Sequence, residues 1–164
     1  MMTTNYFQGT TISPYHISIG AVVRNSEGLI CAHYFEHITH KGFGVMDDIY
    51  LLMRETIEPD ESIETCLHRG LLEEFGMKAK LVSYLGSIVA HFPKETVTVE
   101  KTTLYFLCDL ISYDEAHRKE GDPEAGSQMK WMEPSALITK MKAQGVRVGR
   151  ADVDESVILE RLPQ

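Results

Sequence analysis

Carboxylates at helical spacing, in the segment from Glu61 to Gly76, are the residues of this sequence best suited to chemistry. At 100° per residue, Glu74 falls on the same stripe as the apolar side chains of the segment. A carboxylate directed at a core is costly unless it is paired, protonated or bound to a cation. Carboxylates at these spacings could hold a divalent metal against a phosphate, and the alternative is that Glu73 and Glu74 belong to a solvated helix end.

Gly70 interrupts this pattern in the middle of the predicted helix. Glycine at such a position costs roughly 1 kcal/mol relative to alanine, so we expect something to approach the backbone closely there. That neighbour is either a side chain packed from the sheet or a ligand. Arg69 and Glu73 are four residues apart, a spacing that suits an ion pair on the helix flank.

The elements around the helix follow from apolar periodicity and turn residues. The helix is expected to begin near residues 60–62 and to end at Gly76. A hairpin is predicted before it, then a loop, a short strand and a connector, over residues 16–34, 36–48, 49–53 and 54–60. After it we expect two strands, a charged loop, a short strand and two helices, over residues 80–90, 96–110, 113–128, 129–132, 135–144 and 152–162.

Length and composition indicate one soluble domain with a sizeable core and argue against several classes of partner. With 164 residues, 43% hydrophobic and 24% charged, we expect a single domain over residues 14–164 and an N-terminal tail over residues 1–13, flexible or partly derived from an expression tag. The net charge of −8 disfavours binding to nucleic acid or an anionic membrane. No signal peptide or long apolar run is evident, so a cytoplasmic location is expected.

Cysteine usage points away from disulfides and from a structural zinc site. Cys31, Cys66 and Cys108 are odd in number and far apart, so we expect them to be buried as small hydrophobic residues. The closely spaced His33, His37 and His40 run from a strand into a loop, and a metal site built from them is not favoured.

The helical segment resembles the Nudix box, Gly-x5-Glu-x7-Arg-Glu-U-x-Glu-Glu-x-Gly-U, where U is aliphatic. The positions that match are Glu61, Arg69, Leu71, Glu73, Glu74, Gly76 and Met77. The flanks also follow the Nudix order, with a hairpin before the box, strands after it, and Trp131 and Pro134 opening a helix. The resemblance implies a Nudix-like α/β/α sandwich with a mixed β-sheet.

Two positions depart from the Nudix pattern. Glu55 stands where the first glycine belongs, and Gly70 stands where the glutamate after the arginine belongs. In the family the missing carboxylate is typically a metal ligand, and in some members it is the base that activates water. One hypothesis is a paired exchange in which the Glu55 carboxylate reaches toward Gly70, and the alternative is an exposed glutamate in a connector.

The resemblance implies a hydrolase that uses Mg²⁺ or Mn²⁺ to cleave a phosphoanhydride in a nucleoside diphosphate linked to another moiety. Its implied metal ligands are Glu73, Glu74 and Glu124, with Glu120 and Asp122 close to the last of these in an acidic loop whose alternative role is solvation. By the same resemblance, Arg69 orients a carboxylate and Glu61 braces the start of the helix.

For the substrate, the candidates are Arg54 as a phosphate contact and Phe43 and Phe92 as rings that stack on a base. Ordinary packing and surface charge are the alternatives for all three. Two other functions stay open: a catalytically impaired Nudix-fold module that binds a nucleotide, metabolite or protein, and an unrelated α/β domain. A homodimer is compatible with the sequence but not required by it.

Overall fold

The computed structural model describes residues 7–40, 44–118 and 127–164. Within these ranges the chain forms a seven-stranded sheet and three α-helices. The strands are β1 Tyr15–Arg24, β2 Ile30–His40, β3 Gly44–Leu51, β4 Met53–Thr56, β5 Met77–Lys94, β6 Val97–Tyr113 and β7 Gln128–Met132. The helices are α1 Ile63–Gly70, α2 Pro134–Val148 and α3 Ser156–Leu159, with a π-helical turn at Leu71–Phe75 and 3-10 turns at Glu115–His117 and Ala151–Val153.

The sheet is mixed, and β1 lies at its centre. The strand order is β3-β2-β1-β6-β5, while β4 pairs with β1 and β7 pairs with β2. The β1 and β6 strands are parallel, with Tyr15 opposite Glu100 and Arg24 opposite Asp109. The other strand pairs are antiparallel, which confirms the predicted mixed sheet.

Alternation along β1 shows how the sheet separates two cores. Ile19, Ala21 and Val23 belong to the core that also contains residues of α1, whereas Val22 belongs to the core shared with α2 and α3. Successive residues of a strand point to opposite faces, and here both faces are covered. The sheet therefore lies between two helical layers, and the expected α/β/α sandwich is confirmed.

The segment from α1 through the π-helical turn, residues 63–75, is called the box helix below. It begins where the Ser62 side chain accepts a hydrogen bond from the amide of Thr65 at 3.1 Å. It ends at Gly76, whose φ of 66° places it in the left-handed region. A Cβ on Gly76 would lie 2.2 Å from the carbonyl oxygen of Asp114, so only glycine fits. Both predicted ends of the helix are confirmed.

The loop predicted over residues 36–48 is wrong for the part that the structure describes, residues 36–40 and 44–48. β2 continues to His40 and β3 begins at Gly44, and the two strands pair through positions such as Thr39 with Val45. Polar side chains such as His37 and Asp47 are exposed on this hairpin, so no apolar alternation marks it as a strand.

Two further predicted elements differ in the structure. Part of the expected connector, Met53–Thr56, is strand β4 paired with β1. The expected last helix over 152–162 is only the four-residue α3, preceded by a 3-10 turn. The reason is local, because the backbone of Asp154 is extended, with φ −99° and ψ 91°, and its side chain accepts a hydrogen bond from the amide of Ser156 at 3.0 Å.

The three cysteines are buried and unpaired, as predicted. Burial raises the pKa of each thiol to about 12, so all three are protonated and inert at neutral pH. Ahead of β1, the amide of Ile17 donates to the carbonyl of Phe7 at 2.8 Å. In the described parts of the chain, no helix has the length and apolar character needed to cross a bilayer.

Candidate active site

Arg69, in the last turn of α1, ties the box helix to the strand and loop that precede it. Its Nε donates to Glu61 Oε1 at 2.8 Å, and its Nη2 donates to Glu61 Oε2 at 3.0 Å. The same Nη2 donates to the carbonyl of Thr56, at the end of β4, at 2.9 Å. The hydrogen bond from Arg69 is the main reason that the pKa of Glu61 is lowered. This bidentate pair fixes the guanidinium group in one orientation.

The remaining nitrogen of Arg69 faces further carboxylates. Nη1 lies 3.4 Å from Glu55 Oε1 and 3.6 Å from Glu73 Oε2. Glu58 lies 3.8 Å from it but is 61% exposed, whereas the side chains of Glu55 and Glu73 are 20% and 26% exposed. The sequence predicted the Arg69–Glu73 pair but placed Glu55 in a connector. The structure brings Glu55, Glu73 and Glu61 around a single guanidinium group.

Gly70 lies against Glu55. A Cβ added to Gly70 would lie 2.8 Å from Glu55 Cβ and 3.0 Å from Met53 Sδ, so the helix approaches β4 more closely than an alanine would allow. Burial raises the pKa of Glu55, an effect opposed by Arg69 and by the amide of Thr56, which donates to Oε1 at 3.1 Å. Of the two neighbours proposed for the glycine, the structure shows a side chain from the sheet.

Glu74 points into the protein, as its place on the apolar stripe predicted, and only 3% of it is exposed. Its Oε2 is hydrogen-bonded to Nε2 of His33 at 2.8 Å, and Nδ1 of His33 lies 2.6 Å from the hydroxyl oxygen of Ser127. The His33 ring also packs on Phe75, with 4.4 Å between ring centroids. The buried carboxylate is therefore paired within the protein.

The His33–Glu74 pair was missed by sequence reasoning, although a signal was present. His33 follows Cys31 by two residues and precedes Phe35 by two, so strand alternation directs it to the same face as those apolar side chains. His37, in contrast, is exposed and lies 2.6 Å from Asp47. The side chain of His40 lies outside the described residues.

Arg118 links the end of the box helix to the segment before β7. Its Nε donates to the carbonyl of Glu74 at 2.7 Å, and its Nη2 donates to the Ser127 hydroxyl at 3.1 Å. Arg118 and Ser127 flank residues 119–126, which are outside the described ranges. The predicted ligand Glu124 lies in that segment, as do Glu120 and Asp122, so all three are outside the described residues.

Two of the three predicted substrate contacts line one cavity of about 280 Å³. Arg54 and Phe92 both contribute to its wall, together with Lys101, Tyr105 and Arg150. Phe43 lies outside the described residues. Because successive residues of β4 point to opposite faces, Arg54 faces this cavity while Glu55 faces the box helix.

Arg54 has a buried partner that the sequence did not reveal. Its Nε lies 3.6 Å from Oε1 of Glu155, which is fully buried and also accepts hydrogen bonds from the Tyr105 hydroxyl at 2.5 Å and the Leu52 amide at 2.8 Å. Burial opposes the charge of Arg54, yet the carboxylates of Glu155, Asp152 and Glu74 together raise its pKa. Arg54 is therefore held in its charged form by its carboxylate neighbours, with Glu155 as the main one.

The donor chemistry at Arg69 fits a hard divalent cation. Among the described residues, no group of three His, Cys, Asp or Glu side chains is arranged to hold a metal ion. Mg²⁺, however, is commonly held by one or two carboxylates, with water and substrate phosphates completing its shell. Glu55 and Glu73 offer such oxygen donors on one partly open surface, so they fit a divalent cation.

Comparison with known proteins agrees with this fold. The family model for the NUDIX domain matches residues 14–151, so the chain belongs to the Nudix family. This membership rules out the unrelated α/β domain considered above. Among curated proteins, no significant match was found.

Two solved structures share the fold. The E. coli ORF135 protein, solved in solution, is 16% identical with a TM-score of 0.52, and the similarity covers 90% of this chain and 87% of that one. A NUDIX hydrolase from Nitrosomonas europaea is also 16% identical, with a TM-score of 0.55 over 84% of this chain and 90% of that one.

Proposed function

We propose that this protein is a metal-dependent Nudix hydrolase that cleaves a phosphoanhydride in a nucleoside diphosphate linked to another moiety. The observation that carries the proposal is the cluster at Arg69, where Glu61 fixes the guanidinium group and Glu73 faces it from the next turn at 3.6 Å. A surface that gathers several carboxylates around one arginine is suited to a divalent cation and its bound phosphates.

Each box residue has a separate task in this proposal. Glu73, Glu74 and Glu124 are the proposed ligands of Mg²⁺ or Mn²⁺, and a cation held there would neutralise phosphate charge and activate water. Arg69 positions Glu73, and Glu61 holds Arg69. His33 would orient the Glu74 carboxylate through its 2.8 Å hydrogen bond, as neighbouring hydrogen bonds commonly orient metal-ligating side chains.

The cavity at Arg54 and Phe92 is the proposed site for the rest of the substrate. Its wall combines an aromatic ring with the cationic side chains of Arg54, Lys101 and Arg150, a combination that suits a nucleotide. We further propose one domain over residues 14–164, a cytoplasmic location, and no nucleic-acid or membrane partner. A homodimer remains open.

Two features of the site favour a second candidate function. Gly70 lacks the carboxylate of the Nudix pattern, and Glu74 is already paired with the buried His33. These two features suit a module that binds a nucleotide, metabolite or protein without hydrolysing it. The two candidates differ in product release and not in ligand binding.

A substrate screen separates the two candidates. Nucleotide sugars, dinucleotides and nucleoside triphosphates are incubated with Mg²⁺ and the wild-type protein, Glu73→Gln or Glu64→Gln, and products are followed by ³¹P NMR. Glu64 is the control because it is on the same helix, is 69% exposed and contacts only the flank residue His68 among the ion pairs seen. We expect product release by the wild type and by Glu64→Gln, reduced at least 100-fold in Glu73→Gln, since orders of magnitude follow the loss of a group that stabilises the transition state.

Absence of product with every substrate would contradict the hydrolase proposal. If a substrate still protects the folded protein against thermal unfolding under those conditions, the binding module is the better description. Equal activity of Glu73→Gln and wild type would show that Glu73 is not part of the active site.

A further inference from the structure

We propose that Glu55 supplies the carboxylate that is missing at position 70, so that a metal ligand is delivered from strand β4 and not from the helix. The inference rests on the proposed function, because it assigns a further ligand to the same cation. Glu55 occupies the place of a glycine in the Nudix pattern, and Gly70 occupies the place of a glutamate.

The backbone spacing explains why the two residues exchange together. β4 is fixed against β1, with Ile19 opposite Glu55, and α1 lies directly over this position. A Cβ on residue 70 would be 2.8 Å from Glu55 Cβ, closer than two side chains can approach. Without a shift of the backbone, only one of the two positions carries a side chain, and in this protein it is position 55.

The contacts of Glu55 aim its carboxylate at the Arg69 cluster. The Thr56 amide and Arg69 Nη1 both engage Oε1, at 3.1 Å and 3.4 Å. Arg69 Nη1 also contacts Glu73 at 3.6 Å, so one guanidinium nitrogen lies between the two carboxylates. With Oε1 held in this way, Oε2 is the atom assigned to the cation, and the hydrogen bond from Thr56 and the ion pair with Arg69 set its direction.

The Glu55 carboxylate is held in a largely buried place beside Arg69. The side chain of Glu55 is 20% exposed, and burial works against its charge. Glu58, in contrast, contacts the same nitrogen at 3.8 Å from a side chain that is 61% exposed. Glu58 is therefore the matched control: it is a glutamate beside Arg69 that does not pack on Gly70.

The first test measures packing without any metal. Gly70→Ala, Glu55→Gly and the double variant are compared with the wild type by thermal unfolding. We expect Gly70→Ala to lower the melting temperature by several degrees, and Glu55→Gly to remove most of that loss in the double variant. If the two effects simply add, the two positions are not coupled and the exchange is wrong.

The second test measures metal binding without activity. Mn²⁺ alone is titrated into each protein and unbound Mn²⁺ is followed by electron paramagnetic resonance. Glu55→Gln is expected to weaken binding about tenfold or more, whereas Glu58→Gln stays within about twofold of wild type. The reciprocal variant Glu55→Gly/Gly70→Glu, which moves the carboxylate to the helix, is expected to recover binding to within about threefold.

Several results would overturn the inference. These are no Mn²⁺ binding by the wild type, equal binding by Glu55→Gln and wild type, or weak binding by a reciprocal variant that melts like the wild type. The outcome is separable from that of the proposed function. If product is released but the Mn²⁺ affinity does not depend on Glu55, the hydrolase proposal stands and Glu55 is not a metal ligand. If Mn²⁺ binding depends on Glu55 but no product is released, Glu55 is a metal ligand and the hydrolase proposal is wrong.

Discussion

The carboxylates around Arg69 depend on one another because they all contact its guanidinium group. Its guanidinium group is fixed by Glu61 through two hydrogen bonds and by the carbonyl of Thr56. The more exposed side of the same group faces Glu55 and Glu73. A change at Glu61 should therefore disturb the site through the orientation of Arg69.

The pH dependence of stability tests the Arg69–Glu61 pair. The pKa of Glu61 is lowered in the folded protein, so its stabilisation is present above the unfolded-state value of about 4.3 and is lost as the pH falls through the folded value. Glu61→Gln should lower the free energy of unfolding by about 1 to 3 kcal/mol at pH 7, measured with urea. This deficit should shrink as the pH is lowered below about 4. A deficit that is the same at all pH values would show that the charge of Glu61 is not its cause.

Substitution of His33, which is hydrogen-bonded to Glu74, tests the buried His33–Glu74 pair. His33→Phe should lower the free energy of unfolding by about 1 to 3 kcal/mol in metal-free buffer, because a buried carboxylate loses its hydrogen-bond partner. His37→Phe is the control: His37 also contacts a carboxylate, at 2.6 Å, but its side chain is 70% exposed, so a much smaller loss than that of His33→Phe is expected. Equal losses in the two variants would contradict the role given to His33.

At the scale of elements, the box helix was the part that the sequence predicted best. Ser62 and Gly76 mark its ends, and the apolar spacing gives its buried face, because capping and helical periodicity are local properties. The β2–β3 hairpin and β4 were predicted less well. Strand pairing between residues such as His37 and Asp47 depends on the partner strand, and exposed polar residues leave no alternation to detect.

The end of the box helix provides a test at this scale. Gly76→Ala should destabilise the protein by about 2 kcal/mol or more, since the added Cβ would lie 2.2 Å from the Asp114 carbonyl oxygen and φ is 66°. Gly28→Ala is the matched control, because its φ of 80° imposes similar backbone strain but no atom lies within 4 Å of the added Cβ. Chemical denaturation of both variants should show a clearly larger loss for Gly76→Ala. Similar losses would mean that the contact with Asp114 contributes nothing.

The candidate site could be predicted from the sequence only in part, for a physical reason. The spacing of Arg69, Glu73 and Glu74 places them on one helix, so their approximate positions follow from 3.6 residues per turn. The partners His33, Glu155 and Arg118 come from distant strands and turns. Their contacts depend on how the layers pack, which no local pattern records.

In the whole molecule, the proposed cation site and the proposed substrate cavity lie on opposite faces of the sheet. The box helix covers one face, where Glu55 meets Gly70, and the cavity with Arg54 and Phe92 opens on the other. The adjacent residues Arg54 and Glu55 of β4 thus contribute to both.

The most direct test of the central claim, that the carboxylates around Arg69 bind a divalent cation, is anomalous diffraction from crystals grown with Mn²⁺ and a non-hydrolysable nucleoside diphosphate analogue. We predict a manganese peak at coordinating distance from the carboxylate oxygens of Glu73 and Glu55. The absence of a peak there, with both side chains still paired to Arg69 and the analogue bound elsewhere, would contradict it.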